Sequence, residues 1–332
     1  MELKKEILKN YDLVNLDLGA KKGKFYRTIF PELPIEIRTC LQNALKHKSV
    51  EFVFEKKIEI KEKLEVDETS GIEIKIHEDY TNSQNNLIDI KLKNNNLLEI
   101  YLEFLENIIE NIKSTSNKTA VVNLILKKIN IWIRFFKKKK FEGLSEEEIR
   151  GLIGELLFIK KFSLNENFKD NILRWKGCEN GLHDFDFKEK KAEIKTFAQS
   201  GIIRISLIDQ LDIQKNKNIY LICFGLSKKD GQFSLNDLIN EIQKKLDDDL
   251  SFIFKDKLKS YGYFEIHKND YNEKYRNFDE HFYKITSEFP KILSKDTQSG
   301  ITNISYGLDT NLLSSFDIGK NKIKEVFTDE KN

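Results

Sequence analysis

Cysteine, proline and net charge are all scarce in this sequence, and each shortage excludes a class of protein. Three cysteines, Cys40, Cys178 and Cys223, are too scattered for a zinc motif or a disulfide framework, which fits a reducing cytoplasm. Three prolines in 332 residues leave no proline-rich linker. A net charge of +2 gives no overall field that would attract nucleic acid, so any DNA-binding surface has to be local.

Long apolar segments and the common nucleotide-binding and hydrolase motifs are also missing. No uncharged apolar stretch reaches membrane-spanning length, and residues 1–12 lack the apolar segment of a signal peptide, so we predict a cytoplasmic protein without a membrane partner. The sequence contains no Gly-Lys-Ser/Thr phosphate loop, no His-Glu-x-x-His, no Gly-x-Ser-x-Gly and no Cys-x-x-Cys. Hydrophobic residues make up 39% of the chain, which is enough for a folded core.

One stretch in the middle of the chain has the pattern of a charged strand pair. Residues 183–187 and 192–197 each alternate polar and apolar side chains, and the segment 188–191 between them has no apolar residue. Alternation of period two indicates half-buried strands, and a short polar break indicates a turn. We therefore predict a hairpin with Lys188 and Glu189 at the centre of its turn.

The register of this hairpin would bring acidic residues and a lysine onto one face. If Phe187 faces Lys190, then Asp184 lies opposite Glu193. Lys195 projects beside the same spot. Two neighbouring carboxylates repel each other unless a cation lies between them, and a hard divalent ion such as Mg²⁺, with Mn²⁺ as a substitute, prefers oxygen ligands of this kind. Lys195 would orient a water molecule or stabilise negative charge on a phosphate.

The tripeptide Glu-Ile-Lys does not identify this site by itself, because it occurs at 59–61, 73–75 and 193–195. In a chain that is 33% charged, such a tripeptide is more often part of a solvated strand face. The copy at 73–75 has Asp67 upstream, but it lies among consecutive predicted strands and no buried helix precedes it. The surrounding sequence therefore favours the third copy.

A predicted buried helix precedes that third copy. Ser145 and Glu148 form a capping-box pattern, and the residues that follow are apolar around most of the helix circumference. Glu155 lies in the middle of this helix, where an unpaired carboxylate would be costly. It is either paired with an Arg or Lys, or an additional ligand for a metal or water. Gly151 and Gly154 indicate close packing of the helix on a sheet.

Further strands are predicted downstream at 202–206 and 219–224. The second is a continuous apolar run, as expected for a strand that is buried on both faces. Between them, Ser206 would cap a short helix that ends at Gln214 and carries Gln210. With the buried helix and the hairpin, the predicted order of the core is helix, strand, strand, helix, strand.

Asp184 on one strand and Glu193-x-Lys195 on the next resemble the active-site pattern of the PD-(D/E)XK nuclease superfamily. His183 stands where the strict pattern has proline. Several other segments are similar to a bacterial family known as "PD-(D/E)XK motif proteins", and this similarity covers most of the chain from about residue 145 onward. The segments are Gly151–Leu157, Trp175–Gly177, His183–Phe185, Glu193–Lys195, Asp209–Leu211, Phe289–Ile292 and Gly300–Asp309.

The resemblance implies an α/β fold with a restriction-endonuclease-like αββαβ core and a metal-dependent DNA endonuclease. Asp184 and Glu193 would hold Mg²⁺, Glu155 would be a further ligand, and Lys195 would help to activate water. Gln210 is similar to polar residues that bind substrate beside such sites. Members of the family are often encoded beside DNA methyltransferases and helicase-like ATPases of restriction or phage-defence systems, which suggests such partners. Double-strand cleavage by a single-site nuclease suggests a homodimer.

The rest of the chain divides by its pattern into further segments around this core. Residues 1–96 are predicted as a β-rich subdomain with an antiparallel sheet formed by strands at 51–60, 63–66, 71–78 and 87–93. Two helices, 97–113 and 119–137, form a connector. The C-terminal α+β region is a candidate DNA-contacting region with helices at 234–246 and 249–260 and strands near 262–267, 281–287 and 301–308. The predicted boundaries are 1–96, 97–144, 145–226 and 227–332.

Two other classes of function are weighed against the nuclease. One is a non-cleaving nucleic-acid-binding subunit of a multi-protein defence complex. The other is a structural protein whose charged strand face is simply solvated. A binding module has no use for buried carboxylates near DNA phosphates, and a solvated face does not explain Glu155 in an apolar helix. Metal binding that depends on Asp184 separates the nuclease from both.

Overall fold

A computed structural model of the chain describes residues 2–18, 23–42, 47–64, 69, 71–137, 143–162, 168–179, 181–216 and 218–328. The fold is mixed α/β, as the sequence predicts, and the chain divides into two compact units, Met1–Glu142 and Gly143–Asn332. The finer division into four segments stays a prediction. None of the helices in the described ranges combines the length and the apolar character that crossing a bilayer requires.

The first unit contains a five-stranded antiparallel sheet and three helices. The elements are α1 (Glu2–Leu18), β1 (Lys24–Ile29), β2 (Glu36–Gln42), β3 (His47–Glu55), β4 (Ile72–Glu78), β5 (Asn85–Leu92), α2 (Leu98–Ile112) and α3 (Lys118–Lys137). The strand order is β1-β2-β3-β5-β4. One row of paired residues across the centre of the sheet, Ile37, Phe52 and Ile88, is fully buried. Helix α1 packs on the β1–β2 side of the sheet, and α2 packs on α3.

Strands β1 and β2 were not expected from the sequence. They pair with each other, and Pro31 and Pro34 fall in the connection between them, so neither ladder loses a donor to proline. Strand β3 ends at Glu55, five residues earlier than predicted. Of the strand predicted at 63–66, residues 65 and 66 lie outside the described residues.

The second unit contains a four-stranded sheet and a two-stranded sheet. The elements are α4 (Glu146–Phe162), α5 (Phe168–Arg174), β6 (Phe185–Asp186), β7 (Lys191–Phe197), β8 (Ile202–Ile205), β9 (Ile219–Ser227), α6 (Leu235–Gln243), α7 (Asp248–Tyr261), β10 (Arg276–Lys284), β11 (Tyr306–Asp309) and α8 (Lys320–Thr328). The larger sheet has the strand order β10-β9-β7-β6, and β8 and β11 form the smaller one. Strands β7 and β9 are parallel, and the other pairs are antiparallel.

The central strand β9 is buried along nearly its whole length, as its apolar run predicts. One face of the sheet packs against α4, and a second apolar cluster that includes Phe197, Leu221 and Tyr283 covers the other. Helix α4 lies very close to β7, because a Cβ atom on Gly154 would be 2.7 Å from Thr196 Cγ2. The predicted close packing at this glycine is therefore confirmed, and it sets the height of α4 above the strand that carries Glu193.

Three predictions for the second unit are wrong in detail. The helix expected to end at Gln214 is only a 3₁₀ turn, Ile208–Leu211, in which the Gln210 side-chain oxygen accepts the backbone N–H of Ser206 at 3.2 Å. No strand forms at 262–267, because Gly262 caps α7 with φ 112° and a 3₁₀ helix, Glu265–Tyr271, follows. The strand expected near 281–287 begins earlier, at Arg276, and β10 adds to the sheet beside β9.

Candidate active site

The helix that carries Glu155 begins as predicted. The N–H of Ser145 donates to Glu148 Oε2 at 2.9 Å, and the N–H of Glu148 donates to Ser145 Oγ at 3.3 Å, which completes the capping box. The helix then runs into the core, and Glu155 is buried together with the apolar residues around it. Burial of the apolar residues around Glu155 thus brings its carboxylate into the interior.

The hairpin has the predicted register. Phe185 pairs with Ala192, and the N–H of Phe187 donates to the carbonyl of Lys190 at 3.0 Å, so that two residues form the turn. Extended by one residue, this register places Asp184 opposite Glu193. Strand β6 is only two residues long, and Asp184 is held instead by its side chain, since Oδ2 accepts the N–H of Ile194 at 2.7 Å.

Glu193 and Lys195 form a buried ion pair on β7. Lys195 Nζ lies 2.7 Å from Glu193 Oε1, with 15% of the lysine side chain and 1% of the glutamate side chain exposed. Apart from this ion pair, neither carboxylate oxygen of Glu193 has a well-formed hydrogen bond within the described part of the chain. Unsatisfied buried carboxylate oxygens are costly, so a further positive group is expected here.

The three copies of Glu-Ile-Lys lie in different environments. On the edge strand β4, Glu73 and Lys75 also form an ion pair, at 2.6 Å, but 22% and 59% of their side chains are exposed. The copy at 59–61 follows β3 in an exposed loop. Only the copy at 193–195 is enclosed, so burial distinguishes sites that the tripeptide alone does not.

Gly177 forms one wall of the site. A Cβ atom placed on it would collide with Glu155 Oε2 and would lie 2.9 Å from Asp184 Oδ1. The two carboxylates therefore converge on the same small space in front of this residue. The N–H groups of Lys176 and Gly177 both donate to the backbone carbonyl of Asp184, at 2.6 Å and 3.0 Å, which fixes the segment against β6.

Burial and mutual repulsion shift the proton affinities of the acidic groups. Burial, and then the charge of Glu193, raise the pKa of Asp184 to about 7. Burial, followed by the charge of Asp184, raises the pKa of Glu155 well above its usual range. Burial also raises the pKa of Glu193, although Lys195 opposes it. For Lys195, burial lowers the pKa, but the carboxylates of Glu193 and Asp184 outweigh it and the net pKa is raised.

These residues fit a hard divalent cation. Three carboxyl groups converge with one ammonium, so the ionised site carries excess negative charge, and both oxygens of Glu193 are poorly satisfied. Within the described ranges, no group of three or more Asp, Glu, His or Cys side chains is placed so that it could hold a metal ion. Mg²⁺ typically takes one or two carboxylates and completes its shell with water and phosphate oxygens. Asp184 and Glu193 provide two carboxylates of that kind, and Glu155 Oε2 faces the same space as Asp184 Oδ1 in front of Gly177.

His183 and Gln210 contact each other outside this cluster. His183 is buried, and its Nε2 lies 2.8 Å from the carbonyl oxygen of Gln210, while burial lowers the pKa of the imidazole. This contact agrees with a structural role for His183. The Gln210 side-chain oxygen accepts the N–H groups of Ser206 and Leu207, so its visible contacts are local. Binding of substrate by Gln210 stays a prediction.

Sequence reasoning missed two aromatic residues beside Glu155. The indole N–H of Trp175 donates to Glu155 Oε2, and the ring of Tyr261 stacks on that indole with ring centroids 6.2 Å apart. In the sequence, Trp175 and Gly177 belong to one segment that is similar to the family, and no role is predicted for the indole. Tyr261 lies at the end of α7, far along the chain, and no local pattern marks it as part of the site.

A sheet with a parallel central pair, an enclosed Glu-x-Lys on β7 and an acidic residue just before β6 define a protein of the PD-(D/E)XK nuclease-like class. The chain belongs to the family described as "Putative PD-(D/E)XK family member, (DUF4420)", whose model matches residues 14–311. The suspected superfamily is thereby confirmed. No curated protein and no solved structure shows a significant match to the chain. The family match starts within α1, so it includes most of the first unit, whereas the resemblance seen in the sequence begins at about residue 145.

Proposed function

We propose that the protein is a metal-dependent DNA endonuclease that hydrolyses phosphodiester bonds. The observation that supports this best is the enclosed Glu193–Lys195 pair beside Asp184, because the same tripeptide elsewhere in the chain is solvated. Membership of a PD-(D/E)XK family indicates a nuclease-like protein. Helix α4, strands β6 and β7, the turn at 208–211 and strand β9 would form the αββαβ core that such enzymes share.

Each residue of the site would have a separate role. Asp184 and Glu193 would hold Mg²⁺, or Mn²⁺ in its place, with Glu155 as an additional ligand. A bound divalent cation supplies Lewis-acid stabilisation of the charge that develops on a phosphate. Lys195, kept in place by Glu193, offers N–H donors and a positive charge to a water molecule or to a phosphate oxygen. Water adds to phosphorus and the P–O3′ bond breaks, which leaves a 5′-phosphate and a 3′-hydroxyl.

The biological setting is part of the proposal. We infer a role in a bacterial restriction or anti-phage defence system, in the cytoplasm, with a DNA methyltransferase or a helicase-like ATPase as partner and a homodimer as the cleaving form. The resemblance of the sequence to a family found in such systems supports it. The C-terminal region and Gln210 would contribute contacts to DNA.

The test is cleavage of supercoiled plasmid and linear phage DNA in Mg²⁺, in Mn²⁺ and in EDTA. Wild type is compared with Asp184→Ala and Lys195→Ala. Lys75→Ala is the matched control, since it breaks the ion pair in the exposed copy of the tripeptide. We expect metal-dependent cleavage by wild type and by Lys75→Ala, with a loss of at least about 10²-fold in the two site variants.

Equal activity in all four proteins would refute this assignment of the site. The non-cleaving subunit would instead show DNA binding without cleavage and without Mn²⁺ affinity that depends on Asp184. If no protein cleaves DNA but Mn²⁺ affinity does depend on Asp184, the assay is repeated with the proteins encoded by neighbouring genes, because a restriction-type nuclease commonly works in a complex.

A further inference from the structure

One face of helix α7 packs on the segment 175–179. Phe254, Lys257 and Tyr261 follow one another at positions i, i+3 and i+7, so they lie on the same side of the helix. The rings of Phe254 and Tyr261 contact the indole of Trp175, with centroids 6.1 Å and 6.2 Å from it. Lys257 lies between them in the sequence and is only 7% exposed. A lysine in such a position is costly unless its ammonium is bound.

The ammonium of Lys257 has two partners, and both belong to this segment. It donates to the carbonyl oxygen of Trp175 at 2.5 Å and to Glu179 Oε1 at 3.0 Å. The Glu179 side chain is 34% exposed and is also paired with Lys176, whose Nζ lies 3.0 Å from Oε2. Glu179 therefore has a second cation beside it, whereas the bond from Lys257 to the Trp175 carbonyl joins two buried groups.

The segment 175–179 is bonded to two acidic residues of the candidate active site. The indole N–H of Trp175 donates to Glu155, and the N–H groups of the next two residues both donate to the carbonyl of Asp184, at 2.6 Å and 3.0 Å. Asp184 precedes the two-residue strand β6 and is not part of its ladder with β7. The segment thus takes the place of a neighbouring strand, and a shift of the segment would move Asp184.

The bond from Lys257 is a directional link between α7 and this segment. Ring contacts allow some sliding, whereas a hydrogen bond restricts both a distance and an angle. We propose that Lys257 is a positioning residue, whose ammonium fixes the segment 175–179 against α7 and thereby sets the position of Asp184. This inference rests on the proposed function, because Asp184 is a catalytic group only in a nuclease. It gives α7, which lies outside the predicted nuclease core, a part in the site.

Two measurements on the full chain test this role. Amide hydrogen exchange at Lys176 and Gly177 reports whether the segment stays in place, and it needs neither metal nor DNA. Cleavage of supercoiled plasmid at saturating Mg²⁺ gives kcat and the KM for DNA. Lys257→Met removes the ammonium and keeps an unbranched apolar side chain. Glu179→Gln is the matched control, because it removes the charge of the other partner and leaves the carbonyl of Trp175 bonded.

We expect Lys257→Met to speed exchange at both amides by about 10-fold or more, because a hydrogen bond from a charged donor is lost. Its kcat should fall by about 10- to 100-fold, while KM changes by less than about twofold, since a buried ammonium offers no contact to DNA. Glu179→Gln should stay within about twofold of wild type in exchange and in kcat. If the ion pair were purely structural, both variants would lose stability alike and the folded protein would keep the wild-type kcat.

Exchange and cleavage at wild-type rates in Lys257→Met would overturn the inference, and so would an equal loss in Glu179→Gln. Thermal unfolding shows whether each variant is folded. If Lys257→Met does not fold, Lys257→Gln replaces it, because the glutamine amide is one bond shorter than the ammonium and cannot approach the Trp175 carbonyl as closely. The same changes are expected there. Failure of both variants to fold would make Lys257 a structural residue and would also overturn the inference.

The proposed function fails in a different way. If wild type does not cleave DNA, or cleaves it equally well after Asp184→Asn, the nuclease proposal falls, and the exchange rates alone decide whether Lys257 fixes the segment. If cleavage depends on Asp184 but not on Lys257, the nuclease proposal stands and only the positioning role is lost.

Discussion

Gly177→Ala is the substitution by which the geometry of the acidic cluster can be tested most directly. The added methyl group would collide with Glu155 Oε2, lie 2.9 Å from Asp184 Oδ1 and lie 3.1 Å from Glu155 Cδ. The backbone at Gly177 is not in the left-handed region, so alanine is allowed there and would restrict the unfolded chain. The substitution would therefore displace the two carboxylates without straining the backbone.

The expected magnitude follows from how far a carboxylate has to move. Glu155 is held by Trp175, so it cannot retreat freely, and restoring normal contact requires a shift of several tenths of an ångström to about 1 Å. Displacements of about 1 Å in a catalytic group can cost on the order of 10²-fold in rate. We expect Gly177→Ala to lower metal-dependent plasmid cleavage by about that factor and to change the melting temperature by only a few degrees.

Gly307→Ala is the control for this experiment. Its new methyl group would lie 3.2 Å from Cγ2 of Ile202, an exposed side chain that can move, so cleavage should stay at the wild-type rate. Cleavage by Gly177→Ala at the wild-type rate would refute the reasoning. So would a loss of cleavage that merely follows a loss of folded protein, as judged by circular dichroism at the assay temperature.

Other measurements test the electrostatics and the packing of the site. The pKa of Asp184, raised to about 7 by burial and by Glu193, lies above its unfolded value, so this group contributes stability below about pH 4 and loses it as the pH rises through about 7. In EDTA, the melting temperature should fall between pH 5 and pH 8, and the fall should be steeper in wild type than in Asp184→Asn. An equal slope in the two proteins would contradict this explanation. Added Mg²⁺ should reduce the fall in wild type. Gly154→Ala would place a methyl group 2.7 Å from Thr196 Cγ2. We expect it to lower the free energy of unfolding in urea by about 1–3 kcal/mol. An unchanged urea midpoint would mean that α4 can move away from β7 at no cost in stability.

The residues that sequence analysis brought together are those whose positions follow from local periodicity. Asp184 and Glu193 belong to one hairpin, whose register is determined by a two-residue turn and by alternation of period two. The interior position of Glu155 follows from the apolar circumference of its helix. In each case the informative contacts are close together in the sequence.

The features that the sequence did not reveal depend on contacts between distant segments. The Tyr261 hydroxyl lies against Gly151 only because α7 packs beside α4, and the periodicity of α7 does not predict that neighbour. Strand β10 joins the sheet through a long-range pairing with β9, which no local pattern encodes. The helix predicted to end at Gln214 does not form, for another reason. The Gln210 side-chain oxygen accepts the backbone N–H groups of Ser206 and Leu207, and a 3₁₀ turn forms instead.

The late position of strand β10 in the chain has a consequence for synthesis of the protein. A ribosome makes the hairpin, the Glu-x-Lys strand and β9 well before it reaches β10, which pairs with β9 at one edge of the same sheet. A prematurely terminated chain would therefore possess Asp184 and Glu193 but leave the edge of β9 unpaired. An unpaired strand edge is a template for pairing with another chain, so unfinished copies of the protein would tend to aggregate.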